Sequence, residues 1–510
     1  MKFPAPRLMA PAPTVSKRFL AASATALLLA SCASFKDIDS AAHARTPADY
    51  AASDSLPAQG GQWPGLSWAG SIGGAPLQTL IDEALAGNPG LQVAAARVAA
   101  ARAVAEAAGA AAQPSAEANF KSTYQRFSEN GIFPPPLAGA YKSDNQLTLN
   151  FFYDFDFWGR HAAELRAALS QGKAAEAEQY TSRLVLTTSI ARAWIQLARQ
   201  YAQLDLAQQQ LIVRQKIDHL TQLRFAAGLD TQNEHQQTLQ QLAGLRAEES
   251  QWQEAIALTR NQIAALMGQG PDRGQRIARP ELPQEAVIAL PDELPLTLLG
   301  RRPDIVAARW RVEAAQGDVD TARTQFYPNV NLLAFAGFSS LGLSNLLQTG
   351  SRIAGIGPAI SVPVFETGNL RAQLKGRVAA YDAAVATYNQ TLADALHEVA
   401  DQVQSMRAAE IQNEHLHAAT QAAANGLELA QQRERVGTTN MLPALATEMA
   451  WLMQRKAELD SRARRIDLRI GLIKALGGGF DAAAQGLEPT AGATSNSTRS
   501  NRPTPAPSAS

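Results

Sequence analysis

Leu147-Thr148-Leu149-Asn150-Phe151-Phe152-Tyr153-Asp154-Phe155-Asp156-Phe157-Trp158-Gly159-Arg160 changes its period at one glycine. Before Gly159, apolar side chains take every second place: Leu147, Leu149, Phe151, Tyr153, Phe155 and Phe157 alternate with Thr148, Asn150, Asp154 and Asp156. Only Phe152 breaks the polar set. Period two gives a strand one apolar wall and one wet wall. After Gly159 the pattern becomes helical. Arg160 to Ala227 holds no proline and one glycine, Gly172. At about 1.5 Å per residue that is a rod of roughly 100 Å. Ile190, Trp194, Leu197, Tyr201, Leu204 and Leu211, with Gln208 filling one place, follow coiled-coil spacing.

The same order occurs twice. Gly159, Gly228 and Gly268 recur 209 residues later as Gly368, Gly437 and Gly477. Pro89, Arg97 and Pro114 recur 214 residues later as Pro303, Arg311 and Pro328. The difference between the offsets falls between Pro114 and Gly159, where a hairpin loop absorbs an insertion. Each copy reads as a helix opened by proline, two strands, a very long helix, a glycine turn and a second long helix. In the first strand Ala116, Ala118, Phe120, Ser122 and Tyr124 alternate with Glu117, Asn119, Lys121, Thr123 and Gln125. In the second copy Ile356, Pro358, Ile360, Val362 and Val364 face one way. Strands of about 11–13 residues are long for a soluble sheet and, tilted, span a bilayer's hydrocarbon. Trp158 and Tyr153 suit an interfacial girdle. Leu392, Leu396, Val399, Val403 and Met406 repeat the helical spacing of the first copy.

The composition agrees. Ala, Gln and Leu dominate and aromatics are 6% of 510 residues, the profile of long helices with small-residue faces. A formal net charge of zero gives no electrostatic case for nucleic acid. No apolar run reaches the roughly 20 residues of a spanning helix, so a membrane crossing must use strands. Lys2, Arg7, Lys17 and Arg18 precede the short apolar run Phe19 to Ala30, the form of an export signal. It ends in Leu29-Ala30-Ser31-Cys32, and Cys32 is the chain's one cysteine. Small residues before such a cysteine resemble a bacterial lipobox, which implies lipidation of Cys32; Ala33, in place of Asp, implies sorting to the outer membrane.

The expected organisation is a signal peptide over 1–31, a lipidated tether over 32–66 and a first repeat over 67–280. That repeat has strands about 115–127 and 145–158 and helices about 160–227 and 231–268. The second repeat covers 281–480, with strands about 329–339 and 353–365 and helices about 369–435 and 440–477; a disordered tail follows over 481–510. Four strands per chain cannot close a barrel, and open edges cannot exist in lipid. Three chains supply twelve strands and a lumen, so a cyclic homotrimer is the smallest assembly that closes and conducts. The fold class expected is therefore α plus transmembrane β-barrel: a duplicated strand hairpin and helical hairpin, the trimeric 12-stranded barrel continued by a periplasmic α-helical barrel.

This plan resembles the TolC/NodT family of outer-membrane factors over roughly residues 65–480. Leu298-Leu299-Gly300-Arg301-Arg302-Pro303-Asp304-Ile305 is similar to the family's Arg-Arg-Pro-Asp signature. Phe155-Asp156-Phe157-Trp158-Gly159-Arg160 is similar to its strand-to-helix joint, with Gly368 the second-copy glycine. The resemblance implies a passive exit duct in the outer membrane of a Gram-negative bacterium, reaching into the periplasm and exporting small molecules such as drugs and toxic organic compounds. It implies as partners a periplasmic adaptor that grips the helical tips and an inner-membrane pump, and no cofactor. Arg224, Phe225, Gly228 and Leu229 match the first tip motif; Val436, Gly437 and Thr438 match the second. One departure concerns the entrance. The best-known relatives carry two Asp residues six and nine positions after the second tip glycine, and Pro443 and Ala446 stand there here.

Other readings fare worse. His397-Glu398-Val399-Ala400-Asp401 lacks the second histidine of a zinc-protease helix. Gly70-Ser71-Ile72-Gly73-Gly74 lacks the lysine of a phosphate loop, and no catalytic or metal-binding set emerges. The alternative function is a periplasmic adaptor or coiled-coil scaffold lipoprotein; an adaptor typically carries one helical hairpin with compact β domains, and here the hairpin is duplicated.

Overall fold

The computed structural model describes residues 35, 37–51, 55–56, 61–283, 294–363 and 366–488. The expected leader, Cys32, Val364 and the tail beyond residue 488 lie outside them. The chain divides into two compact units. One comprises Met1–His43, Ala101–Gly172 and Arg311–Ala386; the other comprises Ala44–Ala100, Lys173–Trp310 and Thr387–Ser510.

The first unit holds a four-stranded antiparallel sheet, β1 Ser115–Arg126, β2 Tyr141–Asp154, β3 Asn329–Leu341 and β4 Arg352–Ser361, in sequence order. Each repeat supplies one hairpin, and β2 pairs with β3 to join them. Two boundaries differ from the expected ones. β2 ends at Asp154 and not near 158, because Asp156 (φ +30°) and Gly159 (φ +74°) turn the chain. The Asp156 carboxylate then accepts the N–H groups of His161 (3.1 Å) and Ala162 (3.2 Å), capping the helix that follows. β4 stops at Ser361, before Pro363, which has no N–H for a ladder. The unit's core is Ile38, Val319, Ala322, Phe326, Leu370, Leu374 and Val378.

The helices are α1 Trp68–Gly87, α2 Pro89–Ala111, α3 Arg160–Ala226, α4 Gln232–Leu266, the short α5 Pro271–Gln275 and α6 Leu294–Arg301. They continue as α7 Pro303–Thr324, α8 Thr367–Arg435 and α9 Met441–Ala475. In the second unit Ile190, Trp194 and Leu197 of α3 are buried with Leu77, Ile263 and Ile466. Further along α3 the buried stripe leaves the expected seam. Gln208 is exposed and donates to Glu249 (2.9 Å), while Leu206 and Val213 pack with Leu445 and Leu452 of α9. A helix of 3.6 residues per turn drifts about 20° per heptad, so one straight seam does not persist. On α8, Leu396, Val399 and Val403 pack with Leu298, Leu472 and Leu476.

Candidate channel wall and helical tips

The register sorts the strand residues onto two walls. Ala116, Phe151, Ala334 and Ile356 are cross-strand neighbours on one; Glu117, Asn150, Phe335 and Gly355 are neighbours on the other. The apolar wall continues through Ala118 and Leu149, then Phe120, Leu147 and Phe338. It ends on one side at a polar row, where Ser122 donates to Asn145 (2.7 Å). Beyond that row Tyr124 stacks on Tyr141, with ring centroids 5.9 Å apart. At the opposite end Tyr153, Phe155 and Phe157 form a ring series. There Trp158 stacks on Tyr327 at 4.5 Å and donates its indole N–H to the Pro328 carbonyl at 2.7 Å. Aromatic groups thus stand at both ends of the apolar wall, a pattern that amphipathic rings adopt at membrane interfaces.

The joint between β2 and α3 is a polar knot. The Asp154 carboxylate accepts from Arg160 (2.6 Å) and lies 3.2 Å from the buried His161 ring. Gly159 and Gly368, equivalent in sequence, are not equivalent in shape. Gly159 precedes its helix with positive φ, whereas Gly368 already lies within α8.

Both tips use one hydrogen-bond pattern. At the first, Leu229 N–H reaches Arg224 O (2.8 Å) and Gly228 N–H reaches Phe225 O (3.0 Å). At the second, Thr438 N–H reaches Arg433 O (3.0 Å) and Gly437 N–H reaches Glu434 O (3.0 Å). This helix ending needs a left-handed residue, and Gly228 (φ +72°) and Gly437 (φ +73°) supply it. Arg224 binds Asp230 through two hydrogen bonds, 2.8 and 2.7 Å, which hold the Asp230 carboxyl below its ordinary 3.8. Thr231 and Glu234 then cap α4 reciprocally. Leu229 and Val436 are left 68% and 73% exposed, apolar side chains at the apex of each turn. Pro443 and Ala446 are exposed on α9, with Leu445 buried between them.

The Arg-Arg-Pro-Asp stretch is a structural clasp in the second unit. Arg302 is buried and donates to Asp304, to Glu398 (2.8 Å) and to the Ala475 carbonyl (3.1 Å). Arg301 pairs with Asp481 (3.1 Å), and its guanidinium lies over Trp63. Pro303 opens α7 with Asp304 in its first turn, where an acid meets the positive end of the helix dipole. Glu398, quoted above only within a failed zinc motif, is thereby the partner of the signature arginine. Among the described residues no group of three His, Cys, Asp or Glu is placed to hold a metal. Nor is any helix among them long and apolar enough to cross a membrane.

These features coincide with a known family. The family model for outer membrane efflux proteins matches the chain twice, over residues 80–269 and 294–478. The chain belongs to the outer membrane efflux protein family. Among curated relatives, the fusaric acid resistance protein FusA of Burkholderia cepacia is 36% identical across 70% of this chain and 68% of its own length. The multidrug resistance outer membrane protein MdtP of Shigella flexneri is 32% identical across 89% of this chain and 95% of its own. Among solved structures, the outer membrane protein VceC of Vibrio cholerae superposes with a TM-score of 0.75 at 40% identity, covering 82% of this chain and all of that one. The outer-membrane channel OprN superposes with a TM-score of 0.76 at 28% identity, covering 86% of this chain and 97% of its own. The fold is thus that of the outer-membrane efflux channels. The chain is a passive outer-membrane channel subunit of a tripartite efflux system, and its family is one of transport proteins.

Proposed function

We propose that three copies of this chain close one barrel, that Cys32 carries the lipid anchor, and that the two tips seat a periplasmic adaptor. The observation that carries the trimer is the sheet's two free edges, β1 and β4, beside one apolar wall. A sheet in lipid must have no edges, and three four-stranded sheets are the fewest that leave a lumen. From Ser143, opposite Tyr124, to Tyr153 is ten residue steps along β2, which at a 40° tilt span roughly 25 Å, the height of a barrel's apolar band.

Support for the anchor comes from the segment just after it. Phe35 packs on Phe326 (5.1 Å) and Tyr327 (6.2 Å), the latter stacked on Trp158. Asp37 pairs with Arg371, Asp39 accepts from Arg323 (2.8 Å), and Ser40 donates to Asp382. Three residues reach at most about 10 Å, so a lipid surface within that distance of Phe35 is in reach of an anchor on Cys32. The solutes proposed are small molecules of the kind that the relatives' names carry, fusaric acid and drugs.

Purified full-length protein run unheated on a denaturing gel tests the assembly. A detergent-requiring species that collapses to monomer on boiling is expected, and Cys32→Ser is expected to lose labelling by radioactive palmitate. A water-soluble monomer on removal of Cys32 would instead point to the scaffold or adaptor reading.

A further inference from the structure

The wet wall is not uniformly wet. Phe152 pairs with Leu333, and Phe335 lies one row along on the same wall, paired with Asn150. All three are substantially exposed, at 41%, 46% and 42%. Beside them β4 offers no side chains: Gly357 is the cross-strand partner of Leu333, and Gly355 that of Phe335. The Phe335 ring lies against Gly355 so closely that an added Cβ would sit 2.6 Å from it. At Gly357 an added Cβ would meet nothing within 4 Å. The result is a flat strip of bare backbone bordered by Leu333 and Phe335.

The fold does not demand this apolar strip, because the duplication supplies its own control. By the repeat offsets, Leu333 and Phe335 correspond to Asn119 and Lys121, and Gly355 and Gly357 to Gln146 and Thr148. The first hairpin keeps the wet wall polar at every one of these places. The second replaces all four, and side chains distant in sequence (152 against 333 and 335) converge on one patch. In the barrel reading lipid meets the opposite wall, where Leu149 and Ile356 lie, so lipid is not the patch's occupant.

We propose that the Phe152–Leu333–Phe335 patch, with the glycine strip of β4, is a transit site on the lumen wall for planar aromatic solutes. The ring and the bare backbone form a flat apolar surface in a water-filled passage, where a planar solute sheds water without entering an enclosed pocket. Such a site holds solute weakly enough to release it, as conduction requires. The proposal rests on the barrel reading above and names the solute class that its lumen favours.

Planar-bilayer recording of the full-length channel tests it, with indole as the aromatic probe and erythritol as the polar control. Indole added from the barrel side is expected to reduce single-channel current at concentrations where erythritol does not. The Leu333→Asn/Phe335→Ser variant is expected to weaken that block roughly threefold to tenfold, the ratio one aromatic contact supplies. Gly357→Asn, which fills open space without strain, is a second variant expected to weaken it while leaving the heat-modifiable trimer and its unblocked conductance intact. An equal indole block in wild type and both variants overturns the site. Discrete wild-type channels that ignore indole also overturn it, and mean that a neighbouring copy covers the patch. If the wild type forms no discrete channels, the barrel reading itself fails and the site falls with it.

Discussion

Arg302 donates to Glu398 across 2.8 Å, tying the entry of α7 to α8. The same guanidinium holds Asp304 and the Ala475 carbonyl at the end of α9, so one side chain joins three helices. Arg302 is a buried cation, and its removal takes the guanidinium from Asp304 and from the Ala475 carbonyl and leaves Glu398 with Lys474 alone. Arg302→Ala is expected to destabilise the protein by about 2–4 kcal/mol. Arg302→Lys should recover only part of this, since an ammonium lacks the guanidinium fork. Denaturant titration of both variants checks the order.

Glu398 makes that clasp pH-dependent. Burial pushes its carboxyl up, but the charge and hydrogen bond of Arg302, with those of Lys474, outweigh burial and leave it below its ordinary 4.5. The unfolded chain therefore binds the proton more readily. The clasp's stabilisation is complete above pH 4.5 and is lost as pH falls through the lower folded value. Wild type is expected to lose Tm more steeply than Glu398→Gln below that pH. Parallel slopes in calorimetry at pH 3–6 would refute the assignment.

Gly477 sits where the signature's backbone passes. Its φ is +83°, and an added Cβ would lie 1.9 Å from the Arg301 carbonyl oxygen. Gly477→Ala incurs both left-handed strain, about 1–2 kcal/mol, and a backbone clash that no rotamer relieves. Gly437→Ala meets open space at φ +73° and should show the strain alone. Unfolding the two variants side by side separates the terms, and Gly477→Ala is expected to be the less stable.

At the first tip, Leu229 and Arg224 separate contact from architecture. Arg224→Glu confronts Asp230 and disturbs the turn itself, whereas Leu229→Asp alters an exposed apex side chain with no hydrogen bond to lose. Leu229→Asp is therefore expected to abolish resistance in a susceptibility assay while leaving the trimer intact. Normal resistance in that variant removes the tip from the adaptor interface.

The long helices and the paired hairpins were legible because they rest on local rules. Period two, period 3.6, proline at a first helical turn and glycine at a helix end each act over a few residues. The strand end at Asp154 was not legible, since Phe155 and Phe157 keep the alternation while Asp156 turns the backbone. The seam of α3 beyond Leu204 was misplaced for a related reason: spacing names a stripe, but the helix packed against it decides where the stripe runs.

The duplication, the two-walled strands and the glycine turns stand in the order of residues alone, because each is a statement about neighbours in the chain. The partner of Arg302 does not, for Glu398 is 96 residues away and its local motif pointed to another chemistry. Nor does the apolar patch: a lone Phe152 reads as a lapse in alternation until the β2–β3 register sets Leu333 opposite it and Phe335 one row along. Register is a long-range choice, made by whole strands burying whole faces, and it is the register that turns three scattered side chains into one surface.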